Sequence, residues 1–226
     1  MATSPDVIVF DVNETLSDMA PLGERFSDVG APRTLMQTWF AALLRDGFAL
    51  TAVGKNPVFA EVGREVLRGM LAAPDGLNRD VEDAVQHVMA GFGELALHHD
   101  VYDGLRLLGD ADIRMVTLTN GSTSLSQKMF DRAGVTHHFQ QLLSVEDATA
   151  WKPAAGAYAY AAEQCGTSLD AMMLIAVHPW DIDGAKRAGM QAAWLDRRST
   201  PYPAHFTEPD LIGRTLDEVV IIGRPG

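Results

Sequence analysis

Apolar residues run without interruption from Val7 to Phe10, and the run ends on Asp11 with Asn13, Thr15 and Leu16 following at once. A β-branched run of this kind predicts a strand buried on both faces. The period then changes. Leu35, Trp39, Leu43 and Leu44 recur at three- and four-residue steps, as do Phe59, Val62, Val66 and Met70. Val81, Val85, Val88, Met89 and Phe92 carry the same helical spacing through Arg79 to Leu97. Pro21, Pro32, Pro57 and Pro74 fall between these runs, where helices should break. Residues 17–98 are therefore predicted to form a helical insert without a convincing strand.

The second half alternates. Strands are predicted at Ile113–Thr119, Phe139–Leu143, Met172–Val177 and Gln191–Leu195. Helices are predicted at Ser122–Ala133, Ala154–Cys165, Asp183–Ala188 and Thr215–Ile222, with Gly134 and Gly189 as stops. Strands alternating with helices imply an α/β fold with a parallel sheet and crossover connections. The expected organisation is a core of residues 1–16 and 99–226 interrupted by the insert at 17–98. His98 and His99 are read as surface residues at the hinge.

The chain has 226 residues, 47% hydrophobic and 21% charged, which suits one globular core with an inserted unit. A net charge of −12 argues against a nucleic-acid partner, which selects clustered Lys and Arg. Cys165 is the only cysteine; it has no internal partner for a disulfide and reads as a packed thiol. The N-terminus lacks the basic and apolar regions of a signal peptide, and no apolar stretch approaches bilayer length. A cytoplasmic protein with no membrane partner is expected.

Four segments fall at or just beyond strand ends: Asp11-x-Asn13-x-Thr15, Thr119-Asn120-Gly121, Lys152-Pro153 and Trp180-Asp181. The ends of parallel strands converge on one edge, where open sheets bind ligands. Taken singly, Asp11 also fits a simple cap, and Lys152 a loop lysine. Taken in order, with a helical insert after the first, the four resemble the haloacid dehalogenase superfamily over nearly the whole chain. That resemblance implies a Rossmann-like core with a mobile helical cap and catalysis through an aspartyl ester. It places Asp11 as nucleophile, Thr15 behind it, Thr119 and Asn120 at the substrate, and Lys152 as the cation that keeps Asp11 ionised.

Within the superfamily, phosphatases carry a second aspartate where this chain has Asn13, and an amide has no proton to give a leaving group. Val177 stands where they carry the first acid of a magnesium pair, so only Asp181 remains. The pattern is closer to the type II 2-haloacid dehalogenases, which need no metal or other cofactor. Tyr158, Trp180, Asp181 and Phe59 match residues of their site, and Val12 and Asn13 would border the pocket. The resemblance then implies displacement of halide by Asp11 and hydrolysis of the ester by water oriented or activated by Asp181, on a small anionic acid. It also points to a homodimer.

Two departures bear on the substrate. Ungapped alignment through Trp39 and Phe59 puts Phe40 where those enzymes carry a halide-binding arginine. Arg25 and Arg33 lie nearby, though each reads more simply as a solvated cap residue. His178 stands where the family usually has asparagine, and it fits either a base or a structural donor. Two other functions stay open: a magnesium-dependent phosphatase of a small metabolite, and an idle binding protein that keeps the fold.

Overall fold

The computed structural model describes residues 4–72, 76–111 and 113–223. Its strands are β1 (Val7–Phe10), β2 (Ser17–Asp18), β3 (Ala96–Leu97), β4 (Arg114–Thr119), β5 (Gln141–Ser144), β6 (Met172–Ala176), β7 (Gln191–Leu195) and β8 (Leu211–Gly213). Its helices are α1 (Leu22–Asp28), α2 (Leu35–Ala52), α3 (Phe59–Leu71), α4 (Val81–Ala90), α5 (Val101–Gly109), α6 (Thr123–Ala133), α7 (Ala155–Cys165), α8 (Pro179–Ala188) and α9 (Leu216–Gly223).

Six strands form one parallel sheet in the order β5-β4-β1-β6-β7-β8. Parallel pairing requires crossovers; α5 to α8 lie in those leading up to β7, and the loop at 196–210 makes the last one to β8. The continuous apolar run of β1 follows from its place inside the sheet, where every residue is buried. Val9 lies opposite Val116 of β4 and Leu174 of β6. This register brings Asp11, Thr119 and Val177–His178 to the same C-terminal edge. The fold is α/β with a Rossmann-like parallel core, as the alternation of patterns implies.

Helices α1 to α4 pack beside that edge. Phe26, Trp39, Leu43, Leu67 and Val88 are fully buried among them, each contributing about 1.5–3 kcal/mol through burial. Trp39 gives its indole N–H to the Gly63 carbonyl at 2.9 Å, tying α2 to α3. The layer is fastened to the core through Trp151, whose indole N–H donates to the Pro57 carbonyl at 2.8 Å. The Asn56 amide adds bonds of 2.9 Å to both the Val145 and Ala148 carbonyls. Gly47 makes this contact feasible: a Cβ there would lie 2.0 Å from the Trp151 ring.

Several expectations need correction. The insert is not free of strand, because β2 and β3 pair antiparallel where the chain leaves and rejoins the core. Helical spacing continues to Leu97, but α4 stops at Ala90 and Gly91–Glu94 takes a tighter 3-10 turn, with glycines at 91 and 93. The strand expected at Phe139 starts at Gln141, since Phe139 stacks on Phe130 at 4.7 Å instead. Helix α8 begins at Pro179, not Asp183; proline suits a first helical turn. The short α1 and β8 carried too little periodic signal to be anticipated; α5 does carry helical spacing, in Val101, Leu105 and Leu108, and was missed. His98 is half-buried with a ring nitrogen 3.1 Å from the Glu14 carbonyl, and only His99 is exposed. Pro74 lies outside the described residues. No described helix is long and apolar enough to cross a membrane.

Candidate active site

Asp11 is the first residue beyond β1, and its N–H donates to the Ile175 carbonyl of β6 at 3.1 Å. The chain then doubles back, with the Val12 carbonyl accepting from the N–H groups of Leu16 and Ser17. That turn seats Thr15 against Asp11: its hydroxyl donates to Oδ2 at 2.6 Å and accepts the Val177 N–H at 3.1 Å. The loop carrying Asp11 is thereby pinned to the end of β6.

Lys152 comes from well beyond the end of β5, not from a strand end, so side-chain bonds must place it. Asn120 does so reciprocally. Its Oδ1 accepts the Lys152 N–H at 3.0 Å and its Nδ2 donates to the Lys152 carbonyl at 3.2 Å. The Lys152 ammonium then donates to Asp11 Oδ1 at 2.8 Å and to Asp181 Oδ2 at 2.6 Å. Tyr158 completes the row, its hydroxyl donating to Asp181 Oδ1 at 2.6 Å. Lys152 and Asp181 are 0% exposed and Asp11 4%, so these charges are screened little by solvent.

The electrostatics follow from that burial. Desolvation alone would raise the Asp11 carboxyl, but Lys152 and His178 outweigh it and hold the group well below the usual carboxylate range. Burial would likewise neutralise Lys152, yet two carboxylates keep its ammonium above its ordinary value. Asp181 goes the other way: burial raises it, and Lys152 offsets that only in part. Asp11 is thus an ionised carboxylate in a dry site, and Asp181 the more basic of the two.

His178 closes the opposite side. Its Nδ1 lies 3.1 Å from Asp11 Oδ2 and its Nε2 2.9 Å from Glu14 Oε2. Burial would lower its pKa, but the two carboxylates raise it to about 9. The ring is an imidazolium at neutral pH, which leaves it no lone pair for a base. The ring stacks on Trp180 with centroids 4.9 Å apart and faces Phe40 at 6.4 Å.

The expected pocket residues converge only in part. Asn13, Thr119 and Phe59 surround Gly121: a Cβ there would sit 3.5 Å from Asn13 Nδ2, 3.5 Å from Thr119 Oγ1 and 3.8 Å from the Phe59 ring. The Thr119 hydroxyl accepts the Gly121 N–H at 3.0 Å, which leaves its proton to donate. A cavity of about 30 Å³ lies among these groups. Phe59 stacks on Trp151, and Val12 is buried. Arg25 pairs with Glu94 and Arg33 with Glu24, so neither reaches Asp11.

Glu14, Arg197, Asp100 and Ser144 are residues the sequence reading missed. Arg197 holds Asp100 at 2.8 Å and the Thr15 carbonyl at 2.9 Å, bracing the loop that carries Asp11 from beyond β7. Ser144 donates to the Gly121 carbonyl at 2.7 Å. Ser144 ends β5 and Arg197 lies just past β7, positions at strand ends that were the available signal; Glu14 sits in the turn after β1 and Asp100 just before α5.

A magnesium ion does not fit this donor set. Both Asp11 oxygens already face cations, Asp181 is committed to Lys152 and Tyr158, and an amide and an apolar side chain occupy positions 13 and 177. No group of three or more acidic, His or Cys side chains among the described residues could hold a metal.

The family model for haloacid dehalogenase-like hydrolases matches residues 5–189. Haloacetate dehalogenase H-2 of Moraxella sp. (strain B) is 32% identical over 121 residues, 54% of each chain. (S)-2-haloacid dehalogenase 2 of Pseudomonas sp. (strain CBS-3) is 23% identical over 217 residues, 94% of this chain and 93% of that one. The fold matches L-2-haloacid dehalogenase from Xanthobacter autotrophicus with chloropropionic acid covalently bound, at a TM-score of 0.84 and 22% identity over 96% of this chain and 98% of that one. The match of the family model over most of the chain, on a parallel core of this topology, makes the protein a member of the haloacid dehalogenase-like hydrolases.

Proposed function

We propose that this hydrolase converts a small 2-haloacid to a 2-hydroxy acid through an ester on Asp11, without a required metal. The observation that carries this reading is the buried, ionised Asp11 held by Lys152 beside an amide at position 13. A carboxylate nucleophile is in place, and Asn13 offers no proton to a leaving group. Halide departs as a stable anion and needs none, whereas an alkoxide does. The haloacetate and haloacid dehalogenases among the relatives support the same class of substrate.

In this reading Asp11 Oδ1, which accepts one hydrogen bond where Oδ2 accepts two, attacks the α-carbon. The new C–O bond forms as the C–halogen bond breaks, and halide leaves with the electron pair. Water then adds to the Asp11 carboxyl carbon, losing a proton toward Asp181. Collapse breaks the bond between the Asp11 carboxyl carbon and the ester oxygen, and the departing alkoxide takes up the remaining proton of the water to become the hydroxy acid. Asp11 is restored as a carboxylate while Asp181 returns its proton to solvent. Lys152 steadies the charge throughout, Thr119 donates to the substrate, and Phe40, Phe59 and Trp180 exclude water. The reading also divides the chain into a core of residues 1–16 and 99–226 and a cap of 17–98, hinged at the β2–β3 pair.

The test is halide release from chloroacetate, fluoroacetate and both enantiomers of 2-chloropropionate with chelator present, beside phosphate release from a phosphomonoester with and without magnesium. Halide release that survives chelation and is lost in Asp11→Asn is expected. Magnesium-dependent phosphate release without halide release would replace this reading by a phosphatase. Silence on both would favour an idle binder.

A further inference from the structure

A larger opening at the C-terminal sheet edge than the one at Asn13 and Phe59 lies on the far side of His178. A cavity of about 470 Å³ lies there between the start of the insert and the loop after β7, bordered by Glu14, His178 and Arg198 at its charged end. Met19, Met36 and Pro201 give it apolar walls. Its volume lies in the ordinary range for small-molecule sites.

The charged end has an unusual composition. Two cations, His178 and Arg198, meet on one carboxylate, that of Glu14: Oε2 lies 2.9 Å from His178 Nε2 and Oε1 accepts from Arg198 at 3.3 Å. The other charged groups bordering the cavity are engaged elsewhere. Arg197 holds Asp100 and the Thr15 carbonyl, Asp18 accepts the Ala20 N–H, and Asp196 accepts the Thr200 N–H. Glu14 sits at φ +61°, a left-handed conformation that non-glycine residues rarely adopt. Such outliers persist only where their surroundings enforce them; here the His98 ring holds the Glu14 carbonyl and the two cations hold its side chain. Meanwhile no Lys or Arg of the cap borders the cavity: Phe40 faces His178, and Arg25 and Arg33 are paired with Glu94 and Glu24.

We propose that this cavity is a binding site for an organic monocarboxylate with a short apolar body. The ligand's carboxylate takes the place of Glu14 between His178 and Arg198, and its body lies along Met19, Met36 and Pro201. Glu14 is then a built-in competitor that keeps the two cations compensated while the site is free. The ligand would touch the same imidazolium that holds Asp11, so its binding is felt one ring away from the nucleophile. The site does not depend on halide being the leaving group.

Calorimetric titration with butyrate and hexanoate, which carry no leaving group, tests this apart from any turnover. Butanol and butylammonium serve as neutral and cationic controls. A competitor that must vacate lowers apparent affinity by the fraction of time the site is open, so Glu14→Gln should bind butyrate about tenfold tighter than the native chain. Arg198→Ala should bind it about tenfold more weakly, since a charged partner at the rim is lost. Hexanoate should bind more tightly than butyrate, and the His178 ring NMR signals should move on addition of either. Should Glu14→Gln fold poorly, Glu14→Gly, which suits the left-handed backbone, carries the same expectation. Equal butyrate affinity in native, Glu14 and Arg198 chains would overturn the proposal, as would preference for butylammonium. Where haloacid turnover is measurable, competitive inhibition by butyrate assigns the site to the substrate acid, and non-competitive inhibition to a separate effector acid.

Discussion

At the scale of single residues, Lys152 decides how the site holds together. Its ammonium is buried between Asp11 and Asp181, so removing it leaves Asp181 without a counter-ion and Asp11 with His178 alone in a dry environment. Breaking such a pair costs about 3–5 kcal/mol, and Lys152→Met should show a loss of that order in denaturant unfolding, together with loss of turnover. His178 gives a pH signature of opposite sign to that of the acids. Its pKa rises from 6.5 to about 9 on folding. The associated stability is fully present below the unfolded value and is lost as pH rises through the folded one. Unfolding free energy should therefore decline between roughly pH 6.5 and 9, and His178→Asn should flatten that decline. A native chain with no such slope would show that the ring stays neutral between its two carboxylates.

Among elements, the contact that matters most lies between α2 and the loop carrying Trp151 and Lys152. The Trp151 ring occupies the space a side chain at 47 would need. Gly47→Ala should destabilise by about 1–3 kcal/mol through overpacking, despite alanine's better helix propensity. A thermal melt separates the two effects, because a gain in stability would mean that the ring moves aside freely. Propensity and period placed the long helices correctly, since α2 and α3 bury one face each. They failed where few residues carry the pattern, as in β2, β3 and β8, whose pairing is set by chain segments distant in sequence.

Over the whole molecule, access to Asp11 is the open question. The space among Asn13, Phe59 and Thr119 is about 30 Å³, room for about one water. A haloacid reaching Asp11 by that route requires the helical layer to lift from the core. Asn56 and Trp151 tie the two together, so Asn56→Ala, which removes two bonds worth about 1 kcal/mol each, should raise amide exchange in α2 and α3. Under the proposed function it should also change KM and kcat together. Unchanged exchange would mean that Trp151 alone holds the layer shut.

The sequence alone determined the alternation of strand and helix and the run of helices that follows the first strand. It did so because burial on both faces, helical periodicity and proline breaks are local properties of the chain. It also singled out Asp11, Thr15, Lys152 and Asp181, which the fold brings into one hydrogen-bonded group. Only the tertiary structure decided what those groups do to one another. Asn120 clamps the Lys152 backbone, Tyr158 takes one Asp181 oxygen, and Asp11 and Glu14 together raise the pKa of His178. Those assignments rest on distances between residues far apart in the chain and on the exclusion of water around them, and no local pattern encodes either.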